Sequence, residues 1–346
     1  MEQSLPFVSV VVPTYNRAEL LRDCLESLLA QDYPRDRYEI IAVDDGSTDT
    51  TKQVVRVAQA QSGRSSIRFL HQEHNGVNAT RNAGLSVARG EVVALVDDDE
   101  LPPPGYLRCA VELLEKHPEA AGVGGPYKDY GPGCVRTCQR CSLGRAHINE
   151  AEHLQPVASL PGGNMVLRRE VFRAVGFFDE DLSGYGDEWE WFERPRARSL
   201  SLVFLYVPEL WIWHRKGLIS PWRLYSTAYR QGLSVPLAAK KVGRGYHPNL
   251  LRLIRYLGHA ALRGCGSGLV AACREAGALL GWVQMECGRW DSLRNSPRRP
   301  CPGPSRYLEF VGGKLSQGFK GPVAVAHTAT DRPVHIPHVW QVRECR

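Results

Sequence analysis

Four consecutive acids, Asp97-Asp98-Asp99-Glu100, close a short apolar run, Glu91-Val92-Val93-Ala94-Leu95-Val96, and are followed by Leu101 and three prolines. Carboxylates this close repel one another, and a divalent cation with hard oxygen ligands or a donor-rich ligand relieves that repulsion. A solvated acidic turn is the plainer reading of the same residues. Elsewhere the chain has an Asp44-Asp45 pair and an aromatic Tyr15, each just past an apolar run, and Arg81 in the stretch that follows an Asn75-Gly76 turn. A ring, a carboxylate able to accept from a base N–H, an arginine for a pyrophosphate and acids for a bridging cation together describe a pocket for a metal-bound nucleotide diphosphate. No G-x-x-x-x-G-K-[ST] is present, so a P-loop does not hold the phosphates. No G-x-G-x-x-G follows the first apolar run, which argues against a dinucleotide cofactor.

Such residues need a frame that gathers them. Phe7 to Val12 is rich in β-branched residues, and Leu20, Leu21, Leu25, Leu28 and Leu29 then recur at helical spacing. Tyr38 to Val43 predicts a second strand, Asp44 to Asp49 its loop, and Val54, Val55 and Ala58 the face of the next helix. Asp45, Ser47 and Thr48 are the expected caps of that helix. Ile67 to Leu70 predicts a third strand, and an Asn75-Gly76 turn runs into a helix carrying Arg81. Strands alternating with helices predict a doubly wound, mainly parallel α/β sheet whose ligands bind beyond the carboxyl ends of the strands. Leu202 to Val207 predicts a later strand, with Trp211, Trp213 and His214 after it.

The 346 residues, 43% hydrophobic and 23% charged, are the composition of a folded chain. The net charge of +6 gathers late: from Lys240 to Arg299 there are eleven Lys/Arg against Glu275, Glu286 and Asp291. Leu250 to Val283 is rich in Leu, Ala and Gly but broken by charges, which predicts a basic amphipathic helical pair rather than a membrane span. An anionic membrane surface is the partner expected for 240–299, and no nucleic acid is expected. The first residues have neither a basic n-region nor an apolar h-region, so the chain is expected in the cytoplasm, peripheral on the inner face of the membrane. The ten cysteines read as free thiols. Cys134, Cys138 and Cys141, with His147 nearby, have chelating spacing but lie in a Gly/Pro-rich loop and are not read as a metal centre.

Pro13-Thr14-Tyr15-Asn16-Arg17, Asp44-Asp45-Gly46-Ser47-Thr48-Asp49, Asn75-Gly76 with Ala79-x-Arg81-Asn82-x-Gly84, and Val96-Asp97-Asp98-Asp99 resemble, in order, the signatures of family 2 glycosyltransferases of the GT-A fold. The resemblance covers about the first hundred residues. It implies a nucleotide-sugar donor, a UDP-sugar favoured, a Mg²⁺ or Mn²⁺ ion, inversion at the anomeric carbon, and a saccharide or lipid-linked acceptor. By the same resemblance Pro13 and Tyr15 line the nucleotide, Asp45 meets the base, Arg81 lies near the pyrophosphate, and Asp97 and Asp98 face ribose and sugar. Asp99 is the chief metal ligand, with Asp97 and His214 beside it. Gly163 and Asn164 in Leu160 to Arg169 resemble the acceptor loop, and Trp189 lies on the acceptor side.

The segment Gly184 to Arg194 resembles the one that carries the catalytic base, usually Glu-Asp in this register. Here the order is Asp187-Glu188, which puts Glu188 in the place of the base and leaves Asp187 as the neighbour. Acids capping a helix N-terminus would look the same. A catalytic domain is expected over 1–235, its nucleotide-sugar half about 1–125 and its acceptor half about 126–235. A basic helical extension would follow over 236–295 and a loosely ordered tail over 296–346. Two alternatives use the same acids. A sugar-1-phosphate nucleotidyltransferase should show a Gly-rich loop with a basic residue after the first strand, and a non-catalytic carbohydrate-binding protein should lack the base.

Overall fold

The computed structural model describes residues 5–63, 66–130, 152–182, 187–215, 221–248, 250–251, 253–254, 256–257 and 266–286. The cysteine cluster at 134–141, His147, Gly184 to Gly186, Lys216 and the expected tail all lie outside them.

Four strands alternate with helices as the hydrophobic pattern requires: β1 (Val8–Thr14), α1 (Ala18–Leu29), β2 (Tyr38–Asp44), α2 (Thr51–Gln61), β3 (Ser66–His71), α3 (Val77–Val87) and β4 (Val92–Leu95). Next come β5 (Glu100–Leu101), α4 (Tyr106–Lys116), β6 (Ala120–Gly124), β7 (Tyr127–Tyr130), β8 (Gln155–Val157), β9 (Met165–Arg168), α5 (Arg169–Val175), α6 (Asp187–Ala197), β10 (Val203–Tyr206) and β11 (Ile212–Arg215). The main sheet runs β3-β2-β1-β4-β9-β6-β10-β8. It is mostly parallel, with β9 antiparallel to both its neighbours and β8 antiparallel to β10. A small second sheet, β5-β11-β7, stands beside it.

Alternation along the strands builds a core on each face of the sheet. Val8, Val10, Val12, Ile40 and Ala42 meet Leu21, Leu25, Leu28 and Leu107 on one side. Val11, Ile41, Val43, Val93 and Leu95 meet Leu85, Phe172, Trp191 and Phe192 on the other. Pro13 can sit in the central strand because β4 ends at Leu95, level with Val11, so no neighbour on that side requires its missing N–H. Asp45, Ser47 and Thr48 do not cap α2. Asp49 does the work instead: its Oδ1 accepts from the Thr51 N–H at 3.0 Å, and its Oδ2 accepts from the Ala18 N–H at 3.0 Å, so one carboxylate joins the starts of α1 and α2.

Two long helices follow, α7 (Pro221–Lys241) and α8 (Gly266–Glu286), and α7 runs across the boundary expected at residue 235. They pack closely through glycines: a Cβ on Gly232 would lie 1.9 Å from the Arg274 carbonyl oxygen, and one on Gly277 2.0 Å from that of Tyr229. Among the described residues no helix is long and apolar enough to cross a membrane.

The height of α3 above the sheet is set by Gly84, where a Cβ would lie 2.4 Å from Val11 Cγ1 and 3.1 Å from Val43 Cγ2. Gly84→Ala should therefore destabilise the fold by about 1–3 kcal/mol through overpacking, measured by urea denaturation. Helix propensity alone would stabilise it by about 1 kcal/mol, and that outcome would show that α3 does not rest on β1.

Candidate active site

The loops after β1, β2 and β4 and the start of α6 meet at the carboxyl ends of the parallel strands, where a doubly wound sheet binds ligands. Asn16 is in the left-handed region at φ 51°, a conformation asparagine tolerates better than most residues. It turns the chain out of β1 and is locked there: its N–H donates to Ser47 Oγ and its Oδ1 accepts from the Thr48 N–H, both at 2.8 Å. Tyr15, 41% exposed, then stacks on His74 with ring centroids 4.1 Å apart.

Beneath that stack lies Asp45, and every acceptor position of its carboxylate is taken by the protein. Oδ1 accepts from Gln72 Nε2 at 2.7 Å and the Asn75 N–H at 2.9 Å; Oδ2 accepts from the Gly76 N–H at 2.9 Å and faces His74 Nδ1 at 2.8 Å. For Asp45 to accept from a nucleotide base, Gln72 or His74 must move aside.

Five acids crowd the rim, and two arginines neutralise them. Arg81, on α3, is buried; its Nη2 donates to Asp97 Oδ1 at 3.1 Å, and its Nη1 lies 3.5 Å from both Asp187 Oδ2 and Glu188 Oε1. Burial alone would lower the Arg81 pKa, but Asp97, Glu188 and Asp187 raise it. Its Nε is buried with no hydrogen-bond acceptor among the described residues. Arg17 pairs with Asp98 at 2.8 Å and with Asp99 at 2.5 Å. Asp98 is buried and accepts from the Thr14 hydroxyl at 2.7 Å. Burial pushes its pKa up to about 7 despite Arg17. At Asp99 burial pulls the same way but is overcome by the His214 hydrogen bond and Arg17, which hold the carboxyl at about 2.

His214, on β11, presents Nε2 to Asp99 Oδ2 at 3.8 Å while its Nδ1 faces Asp129 at 3.0 Å. The outer carboxylate fixes the ring, as is usual for a histidine that serves a cation. A carboxylate oxygen and an imidazole nitrogen can both ligate a divalent ion, but neighbouring octahedral ligands at roughly 2.1 Å stand about 3.0 Å apart, so this pair would have to draw in from 3.8 Å. Among the described residues no three such side chains form a ready-made cage. Asp97 points to Arg81 instead.

Opposite the acids, Asp187 and Glu188 open α6. Asp187 is buried, and burial raises its pKa against the pull of Arg81. The Glu188 side chain is 37% exposed. It lies over Gly162, where a Cβ would fall 1.6 Å from Glu188 Oε1, and a Cβ on Gly163 would fall 2.2 Å from Glu100 Oε1. The two glycines thus leave room for two carboxylates. Asn164 does not face this space. It is fully buried, accepts from the Tyr106 hydroxyl, and donates to the Gly125 and Leu210 carbonyls, so its part is to tie the two sheets together. Trp189 is half-exposed next to Glu188, with the Arg244 guanidinium 6.0 Å from its ring centroid.

A family model described as glycosyl transferase family 2 matches residues 9–176. The glycosyltransferase AglE of Haloferax volcanii is 30% identical over 207 residues, 60% of this chain and 66% of that protein. Residues 9–176 are thus similar to glycosyl transferase family 2, over just under half of the chain. A glucosyl-dolichyl phosphate glucuronosyltransferase of the same organism is 31% identical over 189 residues, 52% of this chain and 58% of its own length. The chain therefore spans less than two thirds of these relatives. Among solved structures, the mannosyltransferase PcManGT of Pyrobaculum calidifontis, in complex with GDP-Man and Mn²⁺, superposes with a TM-score of 0.53 at 22% identity, covering 89% of this chain and 84% of that one. The fold is of the GT-A type.

Several residues of this site carry no signature of their own. His74 and Gln72 hold Asp45, while Asn78 and Asn82 of α3 donate to the carbonyls of Asp179 and Phe178, both at 2.9 Å, and so clasp the segment that leads to α6. Asparagines four apart on one helix face were the available signal. The same segment is held from the other side by Lys241, 2.5 Å from Asp179 and 3.1 Å from Asp181, and by Arg244, 2.5 Å from Glu193. Arg215, next to His214 on β11, is turned to Asp23 at 3.1 Å.

Arg81→Met should cost about 3–5 kcal/mol of stability, the usual effect of leaving buried acids without their partner, read by urea denaturation. A loss below about 1 kcal/mol would mean that water, not Arg81, balances these carboxylates.

Proposed function

We propose that this chain is an inverting glycosyltransferase that moves a sugar from a nucleotide-diphosphate sugar to an acceptor hydroxyl in one displacement. The observation that carries the reading is the position of Glu188: a half-exposed carboxylate at the start of α6, on the same rim as Asp99 and His214, with Arg81 between the acids of the two sides. In the proposed step Glu188 takes the proton of the acceptor hydroxyl, the acceptor oxygen bonds to the anomeric carbon, and the bond from that carbon to the diphosphate oxygen breaks with its electron pair on the diphosphate. Asp99 and His214 would hold a Mg²⁺ or Mn²⁺ ion that stabilises the departing charge. Arg81, buried and fixed by Asp97 and Asp187, supplies an oriented positive charge to the leaving group. Asp187, buried and holding Arg81, positions rather than reacts. Tyr15 offers a face for the base, and Trp189 offers one for the acceptor. A UDP-sugar is the favoured donor by the family resemblance. The glucuronosyltransferase relative, whose name specifies a dolichyl-phosphate substrate, supports a lipid-linked acceptor.

A lipid-linked acceptor would bring the chain to a membrane. Leu250, Leu251, Ile254 and Leu257 are exposed in the helical stretch after α7, within the region of positive charge excess. We assign this surface to anionic lipid, with each Lys or Arg contributing about 1 kcal/mol near the bilayer. Co-sedimentation should recover the protein with phosphatidylglycerol vesicles at low salt and less of it at high salt. Equal recovery with phosphatidylcholine vesicles would assign these helices to packing alone.

Donor titrations and steady-state kinetics test the chemistry. Sugar nucleotides should stabilise the protein thermally with Mn²⁺ and less without it. Glu188→Gln should keep that donor response and lose about a hundredfold to ten-thousandfold in kcat. Asp187→Asn should lose less kcat and raise the acceptor KM. Normal turnover in Glu188→Gln with a dead Asp187→Asn would reverse the two roles.

A further inference from the structure

Arg17 reaches the acidic rim from the loop after β1, and the family resemblance gives it no role. Its guanidinium spans two carboxylates, Nη1 at 2.8 Å from Asp98 Oδ1 and Nη2 at 2.5 Å from Asp99 Oδ2. The second oxygen is the one that faces His214 Nε2 at 3.8 Å. A divalent ion held by Asp99 and His214 would take a lone pair of that same atom, at roughly 2.1 Å. A guanidinium and a dication on one carboxylate oxygen repel each other through a largely buried space, where water screens little. The two are therefore competitors for Asp99.

The backbone at this point is fixed and the side chain is not. Asn16 is locked to Ser47 and Thr48, and Ala18 to Asp49, on either side of Arg17. The Arg17 side chain itself is 42% exposed. Its long stem can carry the guanidinium off Asp99 without moving α1. Asp98, buried beneath it, keeps the Thr14 hydroxyl as a donor when the guanidinium shifts. Arg81 cannot make the same move, because it is buried and bound to three acids at once.

We propose that Arg17 and the divalent ion exchange on Asp99. In the free protein the guanidinium neutralises Asp98 and Asp99. When the ion arrives with a diphosphate, Arg17 leaves Asp99 and pairs with the diphosphate, a planar fork suited to phosphate oxygens. The inference rests on the donor-pocket reading above and adds a coupling to it. The ion alone must displace an internal cation and binds weakly; with diphosphate present the displaced cation gains a new anion, so the two ligands favour each other.

Calorimetry with Mn²⁺ alone, inorganic pyrophosphate alone and the two together tests this on wild type and on Arg17→Gln. The variant should bind Mn²⁺ alone about tenfold more tightly, since its competitor is gone. It should bind pyrophosphate in the presence of Mn²⁺ about tenfold more weakly, since a charge-assisted contact is lost. These opposite signs are not produced by a residue that merely holds the loop. If Arg17→Gln does not fold, Arg17→Lys serves: one ammonium in place of a fork should shift both affinities in the same directions by smaller factors. Mn²⁺-dependent pyrophosphate binding that is unchanged in the variant, or both affinities falling together, would overturn the exchange and leave the proposed function in place. No Mn²⁺ binding to wild type with or without pyrophosphate would sink both.

Discussion

Like-charge crowding is the constraint this structure answers. Asp97, Asp98, Asp99, Asp187 and Glu188 are brought to one rim by two distant segments, the turn after β4 and the start of α6, and most of them are shielded from water. Carboxylates in that position either protonate or find cations. Two guanidiniums meet the need in different ways. Arg81 is buried at the centre and joins the acids after β4 to those at the start of α6. Arg17 is exposed at the edge and covers the remaining two. One is a fixed part of the frame and the other is positioned to give way.

The frame around them is economical in a physical sense: single residues serve two elements. Asp49 anchors the starts of two helices, and Asp45 gathers Gln72, Asn75 and Gly76 into the turn that launches α3. Asn78 and Asn82 then tie α3 to the segment before α6. Strain or slack introduced in the first loops is therefore felt at Glu188, although more than a hundred residues separate them.

Much of this was legible in the sequence, and the limits have a pattern. The strands and helices of the first hundred residues follow their apolar periods because both faces of a doubly wound sheet are buried, which leaves clear runs. The acids after β2 and β4 stood out because each lies just past such a run, and Arg81 because it follows the Asn75-Gly76 turn in the pattern that resembles the family. Arg17 did not, because its partners are Asp98 and Asp99, and nothing local marks a residue whose contact lies some eighty positions on. The contacts of Asn164 were hidden for the same reason: the resemblance placed it on the acceptor side, while its amide is engaged by the Gly125 and Leu210 carbonyls and the Tyr106 hydroxyl, all distant in sequence. The cap of α2 was missed by one residue for a similar cause, since Asp49 is chosen by its second duty to Ala18.

Lys241 and Arg244 give the fold one more property. They grip Asp179, Asp181 and Glu193 on both flanks of the stretch that bears Asp187 and Glu188. The far end of a long helix is thus tethered to the segment that opens α6, and α8 is seated against that helix through Gly232 and Gly277. A force applied to the helical pair, by a surface it settles on or a neighbour it meets, has a mechanical route of three ionic contacts to the segment of Asp187 and Glu188, while the loops after β1 and β2 are held by Asp45 and Asp49 outside that route.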